Sequence, residues 1–138
     1  IYKKNQLFKK EFSQKILSPS DVGIHNMIKS NGECFFIDFE YAGWDNVYKY
    51  LADWILRPGQ EMESKYLLKL INGISNILGK DIVYKNLEIL LEIYKIKWAL
   101  IILNPYLKEN FTEKLNLNAL IKSQNYFNNV KNKKYLNY

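Results

Sequence analysis

Four side chains that carry oxygen ligands lie close together in the first third of the sequence. Asp21 and Asn26 belong to the segment SPSDVGIHN, and Asp38 and Glu40 belong to FFIDFEYAGWD a few residues later. Carboxylate and amide oxygens suit Mg²⁺, which takes few protein oxygens and keeps water and phosphate for its other positions. The grouping therefore predicts a site for a divalent cation.

A β-hairpin between the two segments would bring these side chains together. Residues 26–30 and 33–39 flank Asn31-Gly32. Asn-Gly is a strong hairpin signal because both residue types tolerate positive φ. The polar residues of both segments then lie at the open end of the hairpin, beside the loop that carries Asp21.

The length of the hairpin loop decides which residues face each other. With a three-residue loop that includes Glu33, Asn26 lies opposite Asp38, and directly opposed Cβ atoms are about 5 Å apart. With a two-residue loop, Asn26 faces Ile37, and Asp38 points to the other face unless the strand pairing has already ended. The metal site favours the longer loop or a bulge, which re-aims a side chain.

The spacing of Asp21 and Asn26 fits a phosphoryl-transfer site of the kinase type. In such a site an Asp, four residues and an Asn form the catalytic loop, and a later Asp binds metal. The first Asp receives the hydroxyl proton, and the Asn binds the metal ion. The alternative is that Asp21 and Asn26 only stabilise turns, as both residue types often do. The hairpin that ends in Ile-Asp-Phe-Glu favours the site.

With SPSDVGIHN, FFIDFEYAGWD and YLADWILRP in place, the chain resembles the C-terminal lobe of the aminoglycoside phosphotransferase and choline kinase superfamily. These enzymes are small-molecule relatives of protein kinases. Their catalytic loop usually reads His-Gly-Asp, four residues and Asn, and their metal-binding strand reads Ile-Asp-Phe/Trp-Glu. The match covers about residues 17–58. The resemblance implies an ATP- and Mg²⁺-dependent kinase of a small hydroxyl compound.

The resemblance also implies a role for each matching residue. Asp21 matches the catalytic base, and Asn26 matches the Mg²⁺-binding amide. Asp38 matches the carboxylate that binds Mg²⁺ and orients the ATP phosphates. Glu40 matches a nearby acid whose role varies, at the metal or beside its ligands. Asp53 matches a buried aspartate that supports the catalytic loop by hydrogen bonding to its backbone.

The sequence departs from the family pattern in the catalytic loop. Pro19 and Ser20 stand where the family usually has His and Gly, and a branch of the superfamily uses this Ser-Pro-Ser-Asp form. His25, next to Asn26, is a candidate for contact with the metal or phosphate, and a structural histidine is the favoured alternative. Trp44 and Tyr41 are candidates for the wall of a substrate pocket, with Trp44 expected in a loop beside Gly43.

The nucleotide-binding half of such an enzyme has no counterpart in this sequence. A Gly-rich loop and a phosphate-binding strand lysine belong to an N-terminal lobe, and neither motif occurs here. Because the chain also starts at Ile1 rather than Met, we expect residues 1–138 to be a single domain, the C-terminal lobe of a longer protein. We expect this piece to have little turnover alone. The acceptor is an aminoglycoside, a choline-like amino alcohol or a sugar.

Composition narrows the setting and the alternative functions. The only cysteine, Cys34, allows no internal disulfide, which favours a reducing compartment and a cytoplasmic protein. The most apolar run, WALIILNPYL, is shorter than the roughly 20 residues of a membrane-spanning helix, so we expect no membrane partner. The net charge is +6 with lysines at both ends. We expect ordinary solvated faces rather than a nucleic-acid-binding domain. The remaining alternative is a non-catalytic kinase-like scaffold.

Hydrophobic periodicity predicts a mainly α fold with one small hairpin, an α+β class that fits the helical lobe of a protein-kinase-like fold. Trp54 and Trp98 lie on apolar helix faces and are predicted core residues. The predicted helices cover residues 2–16, a segment starting at Asp45 as N-cap and ending before Pro58-Gly59, 61–78 with Gly79 as C-cap, 81–103 with Asp81 as cap and Pro105 beyond its end, and 113–130.

Overall fold

The computed structural model describes residues 15–60, 62–107 and 113–136 of the chain. This part is mainly helical and carries two small antiparallel sheets, which confirms the α+β class. The chain divides into two compact units, Ile1–Trp54 and Ile55–Tyr138. The single-domain organisation stays a prediction, and each unit is described by itself.

The described part of the chain contains four short strands followed by four helices. In order they are β1 (Lys15–Ser18), β2 (Met27–Ser30), β3 (Glu33–Phe36), β4 (Gly43–Asn46), α1 (Val47–Leu56), α2 (Ser64–Leu78), α3 (Tyr84–Ile102) and α4 (Glu113–Val130). Two short 3₁₀ turns lie at Ile24–Asn26 and Asn104–Leu107.

The predicted hairpin is confirmed, but with the shorter loop. β2 and β3 are antiparallel, and Ser30 pairs with Glu33, so the loop holds only two residues. Asn31 and Gly32 have φ of 51° and 84°, as expected for the left-handed pair that matches the twist of a two-residue hairpin. The preference for a three-residue loop, with Asn26 opposite Asp38, was therefore wrong.

A second sheet joins β1 to β4, where the periodicity predicted the end of a helix. Lys15 pairs with Asn46 and Ser18 with Gly43. Helical spacing of apolar residues is a local signal, and pairing with a strand about thirty residues away overrides it. The rest of the predicted helix over 2–16 lies outside the described residues.

The first unit has buried apolar residues both at the start of α1 and in the segment that carries Asp21. Val22, Val47 and Leu51 are almost completely buried. Burying a Val or Leu side chain contributes about 1.5–3 kcal/mol. Trp54 is half-buried, and its ring meets Phe36 edge-on with centroids 6.4 Å apart. The core therefore anchors the helix that follows β4 and leaves the hairpin strands exposed.

Asn46, rather than the predicted Asp45, caps α1. The Asn46 side-chain oxygen accepts hydrogen bonds from the backbone N–H groups of Tyr48, at 2.8 Å, and Lys49, at 3.3 Å. These are donors that a helix start leaves without intrahelical partners. The helix ends at Leu56, and Pro58-Gly59 follows it as predicted.

The second unit contains α2, α3 and α4, whose predicted positions are confirmed with small shifts at their ends. Gly79 ends α2 in the left-handed conformation, with its N–H bonded to the Asn76 carbonyl. The α3 helix begins at Tyr84 after Val83, without a side-chain cap, so the prediction of Asp81 as its cap was wrong. The α4 bounds agree with the sequence prediction.

A buried lysine ties the C-terminal segment to α3. Lys95 is 2% exposed, and its ammonium lies 2.6 Å from a Glu92 carboxylate oxygen. The same ammonium donates a hydrogen bond of 3.1 Å to the backbone carbonyl of Lys133. A buried charge needs such partners because desolvation is costly. Trp98, also on α3, is half-buried and is not one of the fully buried core residues.

Among the helices of the described ranges, none combines the length and apolar character required to cross a bilayer.

Candidate active site

Ser18 braces the loop that carries Asp21. Ser18 is buried, and its hydroxyl oxygen accepts a hydrogen bond of 3.0 Å from the Ser20 N–H. The Asp21 N–H donates to the Pro19 carbonyl at 2.8 Å. Serine oxygens often cap a backbone N–H two residues on. The sequence reasoning missed Ser18, although Ser-Pro at the start of a loop is the signal for such a turn.

Ser20 occupies a backbone conformation that favours glycine. Its φ is 62°, in the left-handed region. An L-residue with a Cβ atom is strained there and glycine is not. The chain therefore keeps the loop conformation that glycine favours, at some conformational cost.

Asp21 and Asn26 are in direct contact. The Asn26 side-chain nitrogen donates to the Asp21 backbone carbonyl at 2.9 Å and lies 3.4 Å from the Asp21 carboxylate. Asn26 is 6% exposed. Because an amide nitrogen and oxygen lie on opposite sides of one carbon, this bond fixes the orientation of the amide. The oxygen of Asn26 is directed away from the Asp21 carbonyl.

His25 lies beside the predicted base. Its Nε2 atom is 3.4 Å from the Asp21 carboxylate, and both side chains are partly exposed. That distance is long for a hydrogen bond and makes it a weak one. The structure therefore places His25 next to Asp21, while contact with a metal or phosphate stays a prediction.

Asp38 follows directly on the open end of the hairpin. The last regular pair is Met27 with Phe36, but the Ile37 N–H still donates to the Asn26 carbonyl at 2.9 Å. Asp38 then has φ of 62°. The extended strand conformation ends there, so simple alternation of side chains no longer assigns Asp38 to a face. A left-handed aspartate next to a strand end is a common feature of functional sites.

Three carboxylates raise the pKa of Tyr41. The pKa of its hydroxyl is raised above the usual value, first by a hydrogen bond with Glu40 and by the charge of Glu40, and also by the charges of Asp38 and Asp21. Interactions between exposed charges fade beyond about 10 Å. Tyr41 therefore lies in an acidic neighbourhood to which Glu40, Asp38 and Asp21 each contribute.

A compact cluster of acidic or thiol ligands is not part of this neighbourhood. Within residues 15–60, 62–107 and 113–136, no three His, Cys, Asp or Glu side chains gather as a metal site. The predicted metal ligands are one amide, Asn26, and one carboxylate, Asp38. Such a small set fits Mg²⁺, which needs one or two carboxylates and fills its octahedron with water and phosphate.

Asp53 is buried and paired with a lysine that the sequence analysis overlooked. Asp53 is 4% exposed, and its carboxylate lies 3.2 Å from the Lys49 ammonium, which also contacts Asp45. Burial lowers the pKa of Lys49, but the hydrogen bond with Asp45 and the charge of Asp53 outweigh it and raise the pKa overall. The Asp-x₃-Lys-x₃-Asp spacing on a helix was the available signal. Support of the catalytic loop by Asp53 stays a prediction.

Trp44 is exposed. The prediction that it lies in a loop was wrong. It is part of β4 and stands opposite Leu17 of β1, and both side chains are 73% exposed. The pair forms an apolar surface on the small sheet. A role for Trp44 or Tyr41 in an acceptor pocket stays a prediction.

No protein-family model, curated protein or solved structure matches this chain.

Proposed function

We propose that this chain carries the catalytic residues of a phosphotransferase that moves the γ-phosphate of ATP to a hydroxyl group of a small molecule. The observation that supports it most directly is the contact between Asp21 and Asn26, whose amide nitrogen is fixed by the Asp21 carbonyl at 2.9 Å. One loop thereby presents a carboxylate and, turned away from it, an amide oxygen of fixed orientation. This is what a proton acceptor and a metal ligand require.

The proposed roles follow from the chemistry of the transfer. The acceptor hydroxyl attacks the γ-phosphorus, its proton passes to the Asp21 carboxylate, and ADP leaves with the bond electrons. Asn26 and Asp38 would hold Mg²⁺, which neutralises phosphate charge when bound. The Ile37–Asn26 backbone bond keeps the two ligand positions at the same end of the hairpin. Catalysis rests on positioning and electrostatics, without a covalent enzyme intermediate.

The proposal includes the kinase-like lobe that the resemblance implies. The Asn-Gly hairpin and the loop before it support that proposal, because they reproduce the order of catalytic loop and metal strand. Ser18 supplies a brace for the loop, which answers the departure at Pro19 and Ser20. The nucleotide-binding lobe, with its Gly-rich loop and lysine, would be supplied by a different segment of polypeptide.

The acceptor is proposed to be an aminoglycoside, an amino alcohol or a sugar. Its binding surface would include the Glu40–Tyr41 pair, which adds a carboxylate and a phenol next to Asp21. The exposed indole of Trp44 offers a flat face to a sugar ring or a cation. A cationic acceptor gains from the acidic neighbourhood, and a neutral sugar gains from the stacking surface and the polar groups.

The test is an acceptor-dependent assay of ADP release with the full-length natural polypeptide, using amino alcohols, aminoglycosides and sugars. Asp21→Asn should lower kcat by about a thousandfold, the range expected for a lost general base, and leave nucleotide affinity intact. Asp38→Asn should also weaken Mg²⁺-dependent nucleotide binding. Asp81→Asn, at an exposed acid in the second unit, is the control and should keep native rates.

Two results would redirect the assignment. A near-native kcat in Asp21→Asn would remove Asp21 as the base. Absence of any Mg²⁺-dependent nucleotide binding in the full-length protein would favour the non-catalytic scaffold instead.

A further inference from the structure

The second unit contains a cavity that is not lined by any of the proposed catalytic residues. Its volume is about 450 Å³, within the range of pockets that hold small molecules. One wall is the connection between α1 and α2, and the other is the end of α4 with the segment after it. The polar lining includes Arg57, Gln60, Glu63, Tyr126, Asn129 and Lys133.

A hydrogen bond between distant parts of the chain holds the two walls together. The Tyr126 hydroxyl donates to the backbone carbonyl of Leu56 at 2.7 Å. Burial, together with the neighbouring Tyr135, raises the pKa of Tyr126, so this hydroxyl keeps its proton and remains a donor. In the wall formed by the connection between α1 and α2, Gly59 has φ of 75°, which lets the chain turn sharply after Pro58. The cavity therefore has defined walls.

Arg57 is the single arginine of a chain that contains 19 lysines. It lines the cavity, and its guanidinium lies 5.5 Å from the centre of the Trp98 ring. Contact with an aromatic ring restricts the orientation of the planar guanidinium. Arginine differs from lysine in its rigid fork of donors, which binds a carboxylate or a phosphate through two parallel hydrogen bonds. Its use at this one position fits such recognition.

Among the described lining residues, positive charges outnumber negative ones. Lys133 adds a second cation to Arg57. Glu63 is the acid among the described lining residues, and it already lies 2.8 Å from the ammonium of Lys65. Gln60 and Asn129 contribute amides, which can donate to further oxygens of a ligand. Among the described lining residues, two cations thus stand beside one acid that already has a lysine partner.

We propose that this cavity binds a small molecule through an anionic group, a phosphate or a carboxylate, with Arg57 as its two-bond partner and Lys133 as a second cation. The site lies in the second unit and is independent of the proposed phosphoryl transfer at Asp21. It is a ligand site in its own right, whether or not the first unit has catalytic activity.

The single arginine makes the proposal directly testable by NMR spectroscopy. Inorganic phosphate and succinate are titrated separately into the ¹⁵N-labelled chain at constant ionic strength. The one arginine Nε–H signal and the Trp98 indole N–H signal should shift and saturate, with Kd below about 10 mM for the preferred anion. A lower Kd for phosphate or for succinate identifies the anionic group.

Variants separate this site from general attraction to a basic protein. Arg57→Lys keeps the charge but removes the fork, and we expect it to weaken binding about tenfold. Lys133→Gln should weaken anion binding about threefold. Because Lys133 is exposed, this variant should leave the fold intact. Lys131→Gln changes an exposed lysine outside the lining and is the matched control.

Three outcomes would overturn the proposal. The first is a chemical shift change that grows linearly with anion concentration and does not saturate. The second is that neither anion shifts the arginine and Trp98 signals. The third is that Lys133→Gln and Lys131→Gln bind the anion with equal affinity. The last would mean that Lys133 does not bind the anion and serves only to neutralise the carboxyl end of α4.

Discussion

The side-chain nitrogen of Asn26 lies 2.9 Å from the backbone carbonyl oxygen of Asp21. This bond joins the two residues that the sequence singled out for proton transfer and metal binding. It also explains the spacing between them, because the chain from Asp21 to Asn26 closes on itself through the 3₁₀ turn at Ile24–Asn26. The loop and the ligand position are one structural unit.

Replacing Asn26 by Asp should destabilise the protein. The variant loses the donor to the Asp21 carbonyl and places a second negative charge next to the Asp21 carboxylate. We expect a loss of about 1–3 kcal/mol in the free energy of unfolding, measured with urea at neutral pH. Asn118→Asp, at an exposed site on α4, is the control and should change it by less than about 0.5 kcal/mol. Equal effects of the two changes would disprove the structural role of the bond.

Ser20→Gly should stabilise the protein. Ser20 has φ of 62°, where glycine avoids a cost of about 1–2 kcal/mol, partly offset by the greater freedom of glycine in the unfolded chain. We expect a net gain of about 0.5–1 kcal/mol in urea unfolding. Ser30→Gly, in the extended strand β2, is the control and should lose a similar amount. A loss of stability in Ser20→Gly would show that the left-handed conformation of Ser20 does not cost stability.

Removing the charge of Lys49 should leave buried Asp53 without its ammonium partner. Lys49→Met is expected to cost about 1–3 kcal/mol of unfolding free energy, less than a fully buried pair because Lys49 is partly exposed. Adding Asp53→Asn should recover part of the loss, which a double-mutant cycle measures. Lys65→Met removes an exposed pair with Glu63, and this control should cost less than about 1 kcal/mol. Equal losses for the two lysines would argue against an anchoring role for Lys49.

Tyr126→Phe should change how stability depends on alkaline pH. The pKa of Tyr126 is raised in the folded state above the usual 10.0. The contribution of Tyr126 to the free energy of unfolding is therefore complete below pH 10. It is lost as the pH rises toward the folded-state pKa. The variant should be about 1 kcal/mol less stable at pH 7, where it lacks the bond to the Leu56 carbonyl.

Above pH 10 that difference should shrink, since the native chain loses the contribution and the variant has none to lose. Unfolding free energies at several pH values test this, with Tyr66→Phe, at an exposed tyrosine, correcting for titration common to the tyrosines. A difference that stays constant up to about pH 11 would contradict the raised pKa.

Local signals explain which elements were predictable from the sequence. Asn31-Gly32 marks the hairpin and Gly79 marks the end of α2, because positive φ is a property of the residue itself. The β1 strand was not predictable in this way, since its pairing with β4 depends on residues far along the chain. Asp45 and Asn46 are both good helix caps, and only the position of the first turn decides between them.

The proximity of Asp21 and Asn26 was predictable from the sequence, but the local geometry around the candidate site was not. The spacing of Asp21 and Asn26 indicated a shared site, and the structure brings these two into contact. The left-handed conformation of Asp38 follows from no sequence rule, because an aspartate adopts it only in a suitable context. Lys49, as partner of Asp53, required knowledge of which helix face is buried.

The central claim is that Asn26 and Asp38 hold one divalent ion, and paramagnetic broadening by Mn²⁺ tests it most directly. With ATP present, small amounts of Mn²⁺ should broaden the NMR signals of Asn26 and Asp38 first. Ser30, four strand residues and therefore about 13 Å from Asn26, should be affected much less. Asp38→Asn should abolish the selective effect. Broadening that is uniform along the hairpin, or unchanged in Asp38→Asn, would contradict the metal site and the proposed phosphotransferase with it.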